Sequence, residues 1–118
     1  MITRNSFYTT ATFDEDLEYC PTHYFCHNGE YIGSFTLHAW NNTIWSLSIK
    51  KEYRNQGYGT LMMRELVEKY GKTSTLRLYV YKNNYAAIRI YEKVGFTIVG
   101  DYYDDVYEME RRATICNY

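Results

Sequence analysis

The stretch Ile49–Tyr70, IKKEYRNQGYGTLMMRELVEKY, decides how this sequence is read. An apolar run stops at Ile49 and a glycine-bearing loop follows. Leu61, Met62, Leu66, Val67 and Tyr70 then recur at helical spacing, and Gly71 supplies a stop. A helix that begins directly after a strand aims its unpaired first N–H groups, and the positive end of its dipole, into the connecting loop. Such a loop cradles anions, and a polyphosphate is its natural guest. Gly57 and Gly59 can take positive φ and admit a ligand close to the main chain, while Arg54 sets a fixed positive charge at the entrance. Two nucleotide loops are excluded by spacing. No lysine followed by Ser or Thr closes the loop, as a P-loop requires, and Met62 stands where a dinucleotide fingerprint needs its third glycine.

A second informative stretch is Asn84–Phe96, NYAAIRIYEKVGF. Asn84 is a good N-cap for a helix whose Ala87, Ile88, Tyr91 and Val94 form an inner stripe. Gly95 fits a left-handed position just past its end, with Phe96 available for the contact that follows. Packing alone therefore accounts for Gly95 and Phe96.

Together the two stretches resemble a known family. Arg54-Asn55-Gln56-Gly57-Tyr58-Gly59 is similar to the R/Q-x-x-G-x-G/A pyrophosphate loop of the GNAT acyl-CoA-dependent N-acyltransferases. Asn84–Phe96 resembles that family's N-x-x-A-x-x-x-Y-x-K-x-G-F motif at every specified position. The motifs stand in the family's order with a strand between them.

The remainder of the chain reads as a strand at Ser6–Phe13, a single acidic helical turn at Asp14–Tyr19, and a hairpin of His23–His27 and Glu30–Trp40 about Asn28-Gly29. Thr43–Lys50 and Thr75–Tyr81 are strands on either side of the first helix, and Phe96–Tyr103 pairs with Val106–Arg111 around Asp104-Asp105. A strand–helix–strand unit favours parallel neighbours joined by a right-handed crossover. The fold class expected is α+β: one domain over residues 1–118, with a mixed sheet of about seven strands, mostly antiparallel, whose Thr43–Lys50 and Thr75–Tyr81 strands are parallel, and two main helices. The resemblance further implies that these two strands splay apart. It also implies two helices between the first two strands, where only about ten residues around Asp14–Tyr19 are available here. The acceptor side is therefore expected to be open, to admit a peptide or protein, or to be completed by a second subunit in a homodimer.

Composition bounds the setting. Hydrophobic content of 46% with one proline indicates a packed globular chain. No run of about 18 apolar residues exists, the N-terminus lacks an apolar signal segment, and Cys20, Cys26 and Cys116 are odd in number, which suits a cytoplasmic protein off the membrane. Cys20, His23, Cys26 and His27 are close in sequence, but on a strand Cys26 and His27 face opposite ways, so no metal is expected. The net charge of −1 hides an asymmetry: residues 1–31 carry −4, residues 50–93 carry +6, and residues 101–112 carry −3. The basic middle holds both motifs, as suits an anionic coenzyme with a cationic amine as second substrate, although solvated helix faces account for any single charge. It lacks the basic–aromatic modules of nucleic-acid binders.

The resemblance implies an N-acetyltransferase that moves an acetyl group from acetyl-CoA to a primary amine: a lysine, a protein N-terminus or a polyamine. The coenzyme loop carries over as Arg54, Asn55, Gln56, Gly57, Tyr58, Gly59 and Thr60, with Asn84 as a further contact. Tyr91 is the implied general acid toward the leaving thiolate. A main-chain N–H near Ile49 would polarise the thioester carbonyl. The family's frequent glutamate base falls at Ser46, which cannot act alone, leaving His38, Ser48 through a water, or Glu108 as alternatives. The rival reading is a module of the same fold that binds coenzyme A or a protein partner without catalysis.

Overall fold

A computed structural model of the chain describes residues 5–10, 20–38 and 40–114. Its elements are β1 (Asn5–Thr10), β2 (Thr22–His27), β3 (Glu30–His38), β4 (Thr43–Ile49), α1 (Tyr58–Tyr70), β5 (Leu76–Tyr81), α2 (Tyr85–Lys93), β6 (Thr97–Tyr103) and β7 (Val106–Arg111). They form a seven-stranded sheet in the order β1-β2-β3-β4-β5-β7-β6, antiparallel throughout except for β4 and β5. The expected acidic turn at Asp14–Tyr19 lies outside the described residues, as does the end of the first expected strand. Between β4 and α1 a short 3₁₀ turn, Lys51–Tyr53, occupies the first part of the expected loop.

Local chemistry explains the main boundaries. Asn28 and Gly29 both adopt left-handed φ, 52° and 82°, the requirement of the tight β2–β3 turn. The β3 strand ends at His38, short of the expected Trp40, which is 68% exposed in the following turn. At the end of α2, Gly95 takes φ 102° and the Phe96 N–H reaches back to the Tyr91 carbonyl at 3.0 Å, leaving the Phe96 ring fully buried.

The β4–β5 pairing positions the site. These strands pair only at Thr43↔Arg77 and Ile44↔Leu78 and then part. The cause lies in β4: Trp45 pairs with Thr36 and Ser48 with Ser34, so Ser46 and Leu47 oppose the single residue Phe35. Ser46 holds φ 54° in this bulge, which turns β4 away from β5. Across from it, a Cβ on Gly33 would run into the Ser48 carbonyl oxygen, so the close approach of β3 to the bulged strand requires glycine.

The core lies on one face of the sheet, under α1 and α2. Phe25, Phe35, Met62, Met63, Leu66, Leu76 and Met109 are fully buried there. Strand β5 shows the division: Leu76, Leu78 and Val80 are buried, whereas Arg77 and Tyr81 are exposed and Tyr79 half-buried. Gly59 sits inside α1, where a Cβ would lie 3.4 Å from Ile90 Cδ1. Gly57 alone of the two loop glycines takes positive φ, 86°; Gly59 has the ordinary φ of its helix. Arg111 joins both helix ends, its Nε donating to the Val94 carbonyl at 2.8 Å and its Nη1 to the Gly71 carbonyl at 3.2 Å.

Candidate functional site

The two helix N-termini are built differently. In α2 the Asn84 side chain caps the helix, accepting from the Ala87 N–H at 3.3 Å. In α1 the N-cap is Gly57, which has no side chain to offer, and no acidic residue occupies the first turn. The first amides of α1 thus keep their hydrogen-bonding capacity and their partial positive charge for an outside partner. Asn55, at φ 61°, and Gly57 bend the loop that exposes them. Two side chains brace it: Gln56 Nε2 donates to the Glu52 carbonyl at 2.8 Å, and Arg54 Nε donates to the Ile49 carbonyl at 3.0 Å. That second bond fixes the guanidinium at the mouth.

These amides open onto a cleft of about 420 Å³ lined by Leu47, Ser48, Ile49, Tyr53, Arg54, Asn55, Gly57, Gly59, Thr60, Met63, Asn84, Ala87, Ile90 and Tyr91. A second cleft of about 240 Å³ occupies the gap where β4 and β5 part, and Trp45, Ser46, Tyr79, Val80 and Tyr81 line it. Leu47, Asn84 and Tyr91 belong to both clefts. Tyr91 therefore stands where the loop-side cleft meets the gap. Its ring lies 6.2 Å from that of Phe96, and burial pushes its phenol above the ordinary tyrosine value, so it stays protonated at neutral pH.

The main chain of β4 contributes as well. The Lys50 N–H turns back to the Ile32 carbonyl at 2.8 Å. Alternation along an antiparallel ladder then points the Ile49 N–H and C=O to the opposite side, toward the gap, in agreement with the Ile49 carbonyl receiving Arg54. An anionic ligand carrying a diphosphate fits the uncapped α1 amides and the Arg54 guanidinium at this mouth.

Comparison with known sequences decides the lineage. The family model for the acetyltransferase (GNAT) family matches residues 3–96. The chain belongs to the GNAT family. A curated GNAT relative, the [ribosomal protein bS18]-alanine N-acetyltransferase of Escherichia coli, is 35% identical over 66 residues, covering 52% of this chain and 45% of the relative. The chain thus spans about half the length of the curated relatives it matches. Among solved structures, the ribosomal-protein-S18-alanine N-acetyltransferase from Escherichia coli superposes with a TM-score of 0.73 at 19% identity, over 98% of this chain and 97% of that one. The PaiA N-acetyltransferase from Thermoplasma acidophilum, in complex with coenzyme A, does so with 0.61 at 25% identity, over 82% and 62%.

Placed on this GNAT fold, the sequence-derived residues divide. Arg54, Asn55, Gly57, Gly59, Thr60, Ile49, Asn84 and Tyr91 come together around the larger cleft. Gln56 turns to Glu52 instead, and the Tyr58 ring lies among those of His27 and Tyr53, at 5.5 Å from each, so both brace the loop and neither lines either of these two clefts. Ser46 lines the gap and is exposed. His38 lines neither cleft; its ring lies 6.1 Å from Trp45 near the end of β3. Glu108 is on β7, directly opposite Tyr79. The cysteine and histidine cluster does not converge: the buried His23 Nδ1 meets the Tyr70 hydroxyl at 3.0 Å, while His27 faces Tyr58. Leu47 and Met63 in the loop-side cleft and Tyr79 and Tyr81 in the gap are not among the sequence-derived site residues. Alternation assigns Tyr79 and Tyr81 a face but gives no sign that a cleft opens there.

Proposed function

We propose that this GNAT chain transfers an acetyl group from acetyl-CoA to a primary amine, of a lysine, a protein N-terminus or a polyamine, by direct attack in a ternary complex. The observation that carries the proposal is the position of Tyr91 on both clefts, between an uncapped helix N-terminus suited to a diphosphate and a gap open to a second reactant. The thioester of the coenzyme supplies an activated acetyl group. The amides of Gly57, Tyr58, Gly59 and Thr60 bind the diphosphate, with Arg54 completing the charge balance. The Ile49 N–H donates to the thioester carbonyl oxygen as negative charge grows there. A nitrogen–carbon bond forms as the carbon–sulfur bond breaks, Tyr91 donates its proton to sulfur, and the proton lost by nitrogen passes to water.

The Tyr91 phenol begins above a pKa of about 10 and the thiol ends near about 8.5, so stepwise transfer is uphill by at least about 2 kcal/mol. Proton delivery in concert with bond cleavage avoids that cost. Removing the phenol is the direct test. Tyr91→Phe is expected to lower kcat about 100-fold with coenzyme affinity within about twofold of wild type; an unchanged kcat takes Tyr91 out of the mechanism.

One observation favours a second reading. Among the described residues, neither cleft is lined by a carboxylate or a histidine. A coenzyme-binding module that contacts a partner would need no base, and coenzyme binding without thiol release across a panel of amines would select it.

A further inference from the structure

A third cleft, of about 260 Å³, continues outward from the β4–β5 gap. It shares Trp45, Tyr79, Val80 and Tyr81 with the gap and adds Tyr102, Tyr103 and Val106. The rings form a wall: Trp45 to Tyr79 at 4.9 Å, Tyr79 to Tyr102 at 4.0 Å, and Tyr102 to Tyr103 at 4.5 Å and 64°. Tyr81, Tyr102 and Tyr103 are 59%, 44% and 65% exposed, so the protein itself does not cover these faces.

Charge lies beside the wall. Glu108 stands directly across the β5–β7 ladder from Tyr79, so its carboxylate lies on the same sheet face as that ring. Burial first, and then the Glu108 carboxylate, push that phenol upward, which agrees with a negative charge held against a half-buried ring. Of the cations at the two ends of β5, Arg77 lies 4.0 Å from Glu110 and its charge partly opposes the upward push on Tyr79, while Lys82 pairs with Asp101 at 2.9 Å and lies over the Tyr107 ring at 5.0 Å. Among the described residues Glu108 forms no ion pair. Aromatic faces carry negative electrostatic potential, and a carboxylate beside them deepens it. A wall serving only an aliphatic guest would need neither phenols nor a carboxylate.

We infer that this cleft is a cage for a second positive charge on the acceptor, an ammonium or guanidinium group a few bonds from the amine that enters the gap. This rests on the acetyl-transfer reading for the identity of the gap, but the cage itself is a binding claim. In this assignment Glu108 recognises the acceptor rather than deprotonating it, and Trp45, Tyr79 and Tyr102 determine specificity. The second charge can belong to a polyamine or to a basic side chain beside a peptide's reacting amine.

Calorimetry on the protein saturated with coenzyme A tests this, comparing cadaverine with n-pentylamine, and then an Ala-Lys dipeptide amide with its norleucine counterpart. Cadaverine is expected to bind about tenfold more tightly than n-pentylamine. That ratio should approach one in Glu108→Gln and fall several-fold in Tyr102→Leu, which keeps apolar contact but removes the π-face; coenzyme affinity of the variants reports their folding. A preference confined to the dipeptides identifies a peptide source, and one confined to the diamine a polyamine. A wild-type ratio near one in both pairs, or one preserved in both variants, overturns the cage. A charge preference in binding without acetyl transfer to any of these amines leaves the cage standing and removes the transfer reading instead.

Discussion

Tyr91 carries opposing demands. Its ring packs beside Phe96 and the phenol is shielded, which raises its pKa, yet the proposed chemistry asks it to release a proton. The sign fixes a pH dependence: a raised pKa delays ionisation, so kcat keeps its acid form through neutral pH and falls only above the ordinary phenol value of about 10. The amine sets the other limb. Presenting an alkylamine of pKa about 10.4 in neutral form at pH 7 costs about 4.6 kcal/mol, and no carboxylate or histidine lines either cleft among the described residues. The expectation is that log(kcat/KM) rises by about one for each pH unit between pH 7 and 9. A plateau beginning near pH 7 would reveal a side-chain base. Tyr91 was legible because a whole motif surrounds it, and Asn84 because N-caps have a local signature, which its bond to the Ala87 N–H fulfils. Tyr79 was not, since alternation with Leu78 and Val80 told only that it faces away from the core.

At the scale of elements, the contrast between a capped α2 and an uncapped α1 gives the site its polarity, and a backbone bulge gives it room. The Asn28-Gly29 hairpin, both helices and the parallel β4–β5 pair could be read from turn chemistry and periodicity. The bulge could not: Ser46 takes φ 54° without any glycine to mark it, and the two-against-one count appears only when β3 is laid beside β4. Nor did the sequence indicate that β7 inserts between β5 and β6, because antiparallel pairing of the last two strands is compatible with either neighbouring β5. Arg111 is another long-range device, donating to terminal carbonyls of α1 and α2 that lie 40 and 17 residues away in sequence. Arg111→Met, which keeps much of the stem but loses both bonds, is expected to cost about 2 kcal/mol in urea unfolding. A loss below about 0.5 kcal/mol would show that water serves these helix ends equally well.

Across the whole molecule, one sheet face holds the core and both helices while the other carries the Trp45, Tyr79 and Tyr102 rings, which in the proposed reaction lets the two reactants approach from different sides. The +6 of residues 50–93 is carried by the segment that holds α1, β5 and α2, and the −3 of residues 101–112 by β6, β7 and the turn between them. Everything proposed for the chemistry depends on the uncapped α1 amides gripping a diphosphate. Isothermal titration of the protein with acetyl-CoA, in parallel with Gly57→Glu, tests it most directly, because that substitution puts a carboxylate at the α1 amides and a side chain at φ 86°. The account predicts saturable heat with a micromolar Kd for the native chain and a loss of at least about 100-fold in the variant. Absence of heat from the native chain, or equal affinity in a folded variant, would contradict it.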